Sequence, residues 1–365
     1  MSFELRKLED VCDILDHMRI PITSRDRKEG PYPYYGANGI QDYIDDFIFD
    51  DELVLLAEDG GNFGSKEKPI AYRISGKTWV NNHAHVLKPK NIIDVDYLCY
   101  SLMYYDVSGL LNGATRQKLT QSEMRKINIR YRSLEKQRQM VFKIKLISNI
   151  ISSREHQLSN LNLLVKSRFI EMFGDESTIV KMENICSIIT DGTHQPPKFV
   201  GSGIPFLFVS NISSNEIRYD AEKFISDETY AELYKRTPIE IGDVILSTVG
   251  SYGHPAIVKS DKKFLFQRHI AYLKPKKNMI NSVFLHTAIL SDEVKEQIDR
   301  KVKGIAQKTL NLSDIRSLNI ILPNIDKQNQ FASFVTQVDK SKLAIQQSLD
   351  ELETLKKSLM QQYFG

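Results

Sequence analysis

A chain of 365 residues, 41% hydrophobic and 26% charged, is long enough for more than one folded unit and too rich in core side chains to be disordered. No apolar run approaches about 18 residues without a charge, and the opening Met1-Ser2-Phe3-Glu4-Leu5-Arg6-Lys7 has no apolar export segment, so neither a membrane span nor secretion is expected. The net charge of +3 permits nucleic acid as a partner without demanding it, and three cysteines (Cys12, Cys99, Cys186) with no CxxC pair fit a reducing cytoplasm, not a disulfide framework or a zinc site.

In chain order, the apolar run Leu53-Val54-Leu55-Leu56 between Asp and Gly clusters predicts a strand, and residues 95–107 a helix. Residues 134–172 contain no Gly or Pro and predict one long helix, with Ser133 as N-cap and Gly174 as the terminating glycine. The order then recurs. Val244-Ile245-Leu246 predicts a strand, 282–302 helical structure, and 325–363 a second long helix after Pro323, with Asp326 as N-cap.

The recurrence extends to individual residues. Lys7-Leu8-Glu9-Asp10-Val11-Cys12-Asp13-Ile14 matches Lys181-Met182-Glu183-Asn184-Ile185-Cys186-Ser187-Ile188. Asn82-His83-Ala84-His85-Val86-Leu87-Lys88-Pro89 matches Arg268-His269-Ile270-Ala271-Tyr272-Leu273-Lys274-Pro275. Ser122-Glu123-Met124-Arg125-Lys126-Ile127-Asn128-Ile129 matches Ser313-Asp314-Ile315-Arg316-Ser317-Leu318-Asn319-Ile320, and Lys136-Gln137 matches Lys327-Gln328. Matches in one order along the whole chain imply a duplication. The spacing between them grows, which places extra residues of the second copy around 213–240.

Both long helices carry a seven-residue apolar repeat. Ile144, Ile151, Leu158 and Val165 fall on one heptad position, and Ile147 and Leu161 on the position three later; Arg154 and Arg168 interrupt the second row. In the second helix the rows hold Val335 and Leu349, then Val338, Ile345, Leu352 and Leu359, with Lys342 and Lys356 as polar breaks. This is a coiled-coil seam. If the intervening domain starts and ends near one place, the helices run antiparallel, and about 35 residues at 1.5 Å each make a rod of about 50 Å. The fold class is therefore α+β: two tandem α/β domains separated by two long helices in an antiparallel coiled coil, an internal repeat with a pseudo-two-fold axis. The expected boundaries are 1–133, 134–175, 176–324 and 325–365.

This order of domain, helix, domain, helix resembles the specificity (S) subunit of a type I restriction–modification system over the whole chain. The marks are the opening 7–14, Tyr35-Gly36-Ala37-Asn38-Gly39-Ile40 followed by 53–60, Asp191-Gly192-Thr193-His194, Gly304-Ile305-Ala306-Gln307-Lys308, and the Lys-Gln pair near each helix start. The resemblance implies that 1–133 and 176–324 are target recognition domains, each reading one half of an asymmetric, bipartite double-stranded DNA target. It implies that the coiled coil fixes the gap between the halves. It also implies two modification (methyltransferase) subunits and restriction (motor-nuclease) subunits as partners. S-adenosylmethionine, ATP and Mg would sit on those partners, with no cofactor on this chain and a cytoplasmic location. DNA repeats about every 34 Å, so a rod of this length matches readers on successive major grooves.

Polar residues on Gly-rich loops are the candidate DNA contacts, since Asn and Gln pair with adenine edges, Arg and Lys with guanine or phosphate. They are Asn38, Asn62, Arg116, Gln117 and Lys118 in the first domain. In the second they are Thr193, His194, Gln195, Ser251, Tyr252, Gln307 and Lys308. Gly36, Gly60 and Gly250 read as backbone devices.

An enzymatic reading finds little footing. His83 and His85 alternate, so both would face one side of a strand near Glu58 and Asp59, as a metal site requires. In the second copy His85 becomes Ala271 and Glu58-Asp59 become Thr248-Val249, which favours hydrogen-bonding histidines. GxxxxGK[ST] does not occur, and Gln195-Pro196-Pro197-Lys198 lacks both ends of the amino-methyltransferase signature, so a non-catalytic subunit is expected. A coiled-coil adaptor whose end domains bind protein is the alternative.

Overall fold

The computed structural model describes residues 3–65, 67–113, 117–304 and 308–365. They form two compact units, Met1–Glu155 with Gln347–Gly365, and His156–Gln346.

The first unit is built on a four-stranded antiparallel sheet in the order Cys12–Ile14, Ala84–Pro89, Leu53–Ala57, Ala71–Ile74. All five residues of Leu53–Ala57 are buried. The alternation of side chains explains why the run is apolar throughout. Val54 and Leu56 enter a core with Leu8, Leu87, Tyr97, Leu98 and Ile144. Leu53 and Leu55 enter another with Phe49, Val80 and Val86. The second core backs a sheet in the order Gly39–Ile44, Glu29–Gly36, Lys77–Val80, Phe49–Asp50, whose two central strands are parallel. The predicted helix near 95–107 is Val95–Met103, capped by the Asp94 carboxylate.

The second unit repeats this plan. Its sheet runs Cys186–Asp191, Ile270–Pro275, Val244–Ser247, Pro255–Ile257. Val244 and Leu246 face one core, Ile245 the other. Ile204–Leu207 and Leu265–Phe266 pair in parallel, as Glu29–Gly36 and Lys77–Val80 do. The backbone bond Leu8 N–H to Ile127 O (2.9 Å) recurs as Met182 N–H to Leu318 O (2.9 Å). Leu119 N–H to Glu58 O (2.8 Å) recurs as Leu310 N–H to Thr248 O (2.8 Å). The extra residues of the second copy hold the strand Phe224–Ile225 and the helix Asp227–Leu233, capped by Ser226. Helical structure at 282–302 is two helices, Ser282–Ile289 and Asp292–Lys301, each with its own side-chain cap, Asn281 and Ser291.

The long helices are Leu134–Phe173 and Ile325–Phe364. They pack together, and each unit taken alone fixes their direction. In the first unit Met140, Val141 and Ile144 share a core with Leu359, Tyr363 and Phe364, the start of one helix against the end of the other. In the second, Val165, Phe169 and Phe173 share a core with Phe331 and Val335. The pairing is antiparallel, as expected. Ile144, Ile147, Val338 and Leu349 are buried, and Ile151, Leu158, Leu161, Val165, Val335, Ile345, Leu352 and Leu359 partly so; no seam position is exposed. The helix ends do a second job: their aromatic and apolar side chains are also domain core, so seam and core are continuous within each unit. One cap differs from expectation. The second helix begins at Ile325, so Asp326 lies in its first turn, and Asn324 Oδ1 accepts the Asp326 N–H at 2.8 Å.

Candidate nucleic-acid interface

In the first unit, the loops after strands Glu29–Gly36 and Leu53–Ala57 converge with the strand Lys118–Leu119. Asp59 and Lys118 form an antiparallel bridge. Asn38 Nδ2 donates to Gly60 O at 2.9 Å, and Asn62 Nδ2 to Asn38 Oδ1 at 3.2 Å. Gly60 has φ +64, a conformation that Gly adopts without strain. The structure therefore brings Asn38, Asn62 and Lys118 together, with exposed Gln117 beside them. Arg116 lies outside the described residues.

Beneath this edge is a buried ionic network. Glu58 Oε1 meets Lys118 Nζ at 2.8 Å and Glu58 Oε2 meets Arg19 Nη1 at 2.5 Å. His85, 0% exposed, places Nδ1 2.6 Å from Asp16 Oδ2 and Nε2 2.8 Å from Leu119 O. Asp16 also accepts the Val86 N–H at 2.9 Å and the Gln121 amide at 3.1 Å. Burial pushes both carboxyls up, but the bonded partners win: Lys118 and Arg19 hold Glu58 below its ordinary value, and His85, Val86 N–H and Arg19 do so for Asp16. Asp16, Glu58 and His85 offer atoms within 4.8 Å of one another. Side-chain cations already balance these carboxylates, so the cluster reads as an ion-pair network. His83 does not share it. It sits in the turn before the strand, its Nδ1 2.5 Å from Asp59 Oδ1. The expectation that both histidines lie on one side of a strand is corrected: His83 precedes the strand, and each ring bonds a carboxylate of its own.

The second unit assembles the corresponding loops. Val249 and Thr309 bridge as Asp59 and Lys118 do, and Gly250, φ +72, donates its N–H to Lys308 O at 3.0 Å. The Lys308 ammonium lies 5.9 Å from the Tyr252 ring, and Tyr252 donates to Asp299 at 2.9 Å. Ser251 is exposed beside it. Thr193 bridges Gln267, and its carbonyl accepts the Arg268 N–H at 3.0 Å. His194 pairs with Asp191 at 2.9 Å, and Arg236 holds the same carboxylate at 2.6 Å. Gln195 is exposed. Gln307 lies outside the described residues.

Three residues went unsingled in the sequence. Exposed Arg268 sits on the turn that joins the two loops of the second unit, its Nε 3.4 Å from His269 Nε2. Its match to Asn82 in the repeat was visible, and a change from amide to guanidinium at one repeat position makes the two loop edges chemically unlike. Arg236 belongs to the inserted segment, which has no partner in the first copy. Arg19 lies far from Glu58 in sequence and carries no motif.

Each unit thus presents amides, hydroxyls and cations on loops held by a rigid sheet. That is equipment for reading an edge of donors and acceptors beside phosphates.

Comparison with known proteins agrees. The family model for the type I restriction modification DNA specificity domain matches residues 2–163 and 176–354. A type I restriction enzyme specificity subunit of Haemophilus influenzae is 24% identical over 372 residues, covering 98% of this chain and 89% of the relative. The MjaVIII specificity subunit of Methanocaldococcus jannaschii is 20% identical over 395 residues, covering 98% and 91%. The crystal structure of a type I S subunit from M. genitalium has the same fold, with a TM-score of 0.61 at 13% identity, covering 100% of this chain and 96% of that one. The chain belongs to the type I restriction–modification specificity subunit family.

Proposed function

We propose that this specificity subunit reads an asymmetric, interrupted DNA sequence with its two units, one half-site each, and that the antiparallel helices fix the gap. One observation carries the reading. The two units share a backbone scaffold down to individual hydrogen bonds, yet their loop edges differ: Asn38, Asn62 and Lys118 in one, Thr193, Tyr252, Arg268 and Lys308 in the other. Equal scaffolds with unlike edges suit unlike half-sites.

The chain supplies recognition and no catalytic step. Two modification subunits dock on it and methylate adenine where it directs them, and restriction subunits join that assembly. S-adenosylmethionine, ATP and Mg bind those partners. The site of action is the cytoplasm, where those partners and the DNA meet. No helix among the described residues is long and apolar enough to cross a membrane. Much of the non-specific affinity comes from the partners, because the net charge here is only +3.

The test is a methylation map of DNA from cells carrying this chain and its modification subunit, compared with cells lacking the chain. A new methyladenine motif in two unlike halves around a fixed gap is expected. No new methylation, with the modification subunit active, would move the assignment to a protein-binding scaffold.

A further inference from the structure

We infer that His85 is the positioning residue of the first reading edge, a ring bonded at both nitrogens that clamps the strand bearing Lys118 to the sheet. The inference rests on the proposed reading that this edge meets DNA.

The geometry sets the protons. Leu119 O can only accept, so Nε2, 2.8 Å away, carries a hydrogen. Nδ1 faces Asp16 Oδ2 at 2.6 Å. Every other partner of the Asp16 carboxylate is a donor: Val86 N–H, the Gln121 amide and the Arg19 guanidinium. Asp16 thus holds Nδ1 while Leu119 O holds Nε2, and the ring is bonded at both nitrogens. Glu58 Oε2 adds a second carboxylate 3.7 Å from Nδ1, and it is shared with Arg19. Around His85 the facing charges are therefore Asp16, Glu58 and Arg19, with Lys118 one step out on Glu58.

The clamp has two ends. His85 grips Leu119 through its carbonyl, and Glu58 grips the same strand twice, by backbone to Leu119 N–H and by carboxylate to Lys118. The second unit keeps only the backbone bond, Leu310 N–H to Thr248 O, because Ala271 stands in place of His85. The device belongs to one reader.

The experiment uses the complex of this chain with its modification subunit. Randomised duplexes are methylated, and the preference at each base is read by sequencing. Preference ratios within one reaction cancel differences in overall methylation rate. The half-site of the first unit is the one that changes when residues 1–133 are exchanged. His85→Gln should cost about ten-fold in discrimination at that half-site, while the other half-site holds. Glu58→Gln, which removes the carboxylate that grips Lys118, should lower discrimination at the same half-site and leave the other intact. An unchanged first half-site in His85→Gln with the second intact overturns the inference. If His85→Gln disrupts both half-sites, Glu58→Gln decides, and a first half-site read as in wild type overturns the inference. A wild-type complex that methylates without sequence preference overturns the DNA-reading assignment instead, and is distinct because no variant is needed to see it.

Discussion

The Gln137 side-chain oxygen accepts the Asp94 backbone N–H at 2.8 Å, and its amide nitrogen donates to Arg132 O at 2.7 Å and Ile92 O at 3.2 Å. Gln328 makes the same set in the second unit: Asn281 N–H at 2.9 Å, Pro323 O at 2.8 Å and Met279 O at 3.1 Å. Both side chains are 0% exposed. Each glutamine ties the start of a long helix to the segment entering the domain's own helix, and satisfies backbone groups that water does not reach. Gln137→Leu leaves those groups unpaired and should lower the stability of the first unit by about 2–4 kcal/mol. Trp79, the chain's single tryptophan, lies in the first unit, so the urea midpoint of its fluorescence measures this directly. A midpoint equal to wild type would show that water replaces the glutamine.

The seam gives a graded prediction. Ile144 is 0% exposed, packed in seam and core together, and Ile144→Ala should cost about 2–4 kcal/mol. Leu164, on the same helix at 47% exposure, should lose no more than about 0.5 kcal/mol on truncation. Replacing Ile151, Leu158 and Leu161 together, all partly buried, should loosen the helix pair and broaden the range of gap lengths methylated. Unchanged stability and gap choice in the triple variant would count against the seam as ruler.

Much of this was legible before any coordinates. Heptad spacing placed the seam because burial on a helix follows its period: every marked position is buried or partly so. The Leu53 run read as a strand because both its faces are covered. The proposed reading edges were legible only as loops. Asn38, Asn62 and Lys118 are brought together by sheet topology, which no local spacing encodes. The Asp16–His85–Glu58–Arg19 network was invisible for the same reason, and the alternation of His83 and His85 misled, since His83 sits in a turn and finds its own carboxylate.

Modularity follows from separate cores. The first unit's clusters draw only on its own residues, as do those of the second. Exchanging residues 1–133 for the corresponding domain of another family member should change one half-site and leave the other. A change in both, mapped by methylation sequencing, would contradict independent readers.

Cys12, Cys99 and Cys186 are all buried, and burial pushes each thiol up to about 12. The thiolate is the reactive form, so none should react near neutral pH in the folded chain. A colorimetric thiol titration should find no fast-reacting groups in the native protein and all three in denaturant. One fast thiol in the native chain would reveal local opening at that site.

Acid should act on the two units unequally. The folded-state pKa values of Asp16 and Glu58 are lowered, so the stability they give the first unit is present above their unfolded values, about 4, and is lost as pH falls through the folded ones. Asp243 in the second unit is the reverse case. Burial raises its pKa, against bonds from Glu240 N–H and Tyr272. An acid with a raised folded pKa costs stability while ionised, and that cost is relieved as pH falls. The exposed carboxylates with lowered values, such as Asp292 beside Lys166, are screened by solvent and weigh little. On acidification the Trp79 signal should therefore change before the helical circular dichroism of the whole chain, and Glu58→Gln should narrow the interval. Coincident transitions in both signals would show that the buried carboxylates of the first unit do not set its acid stability.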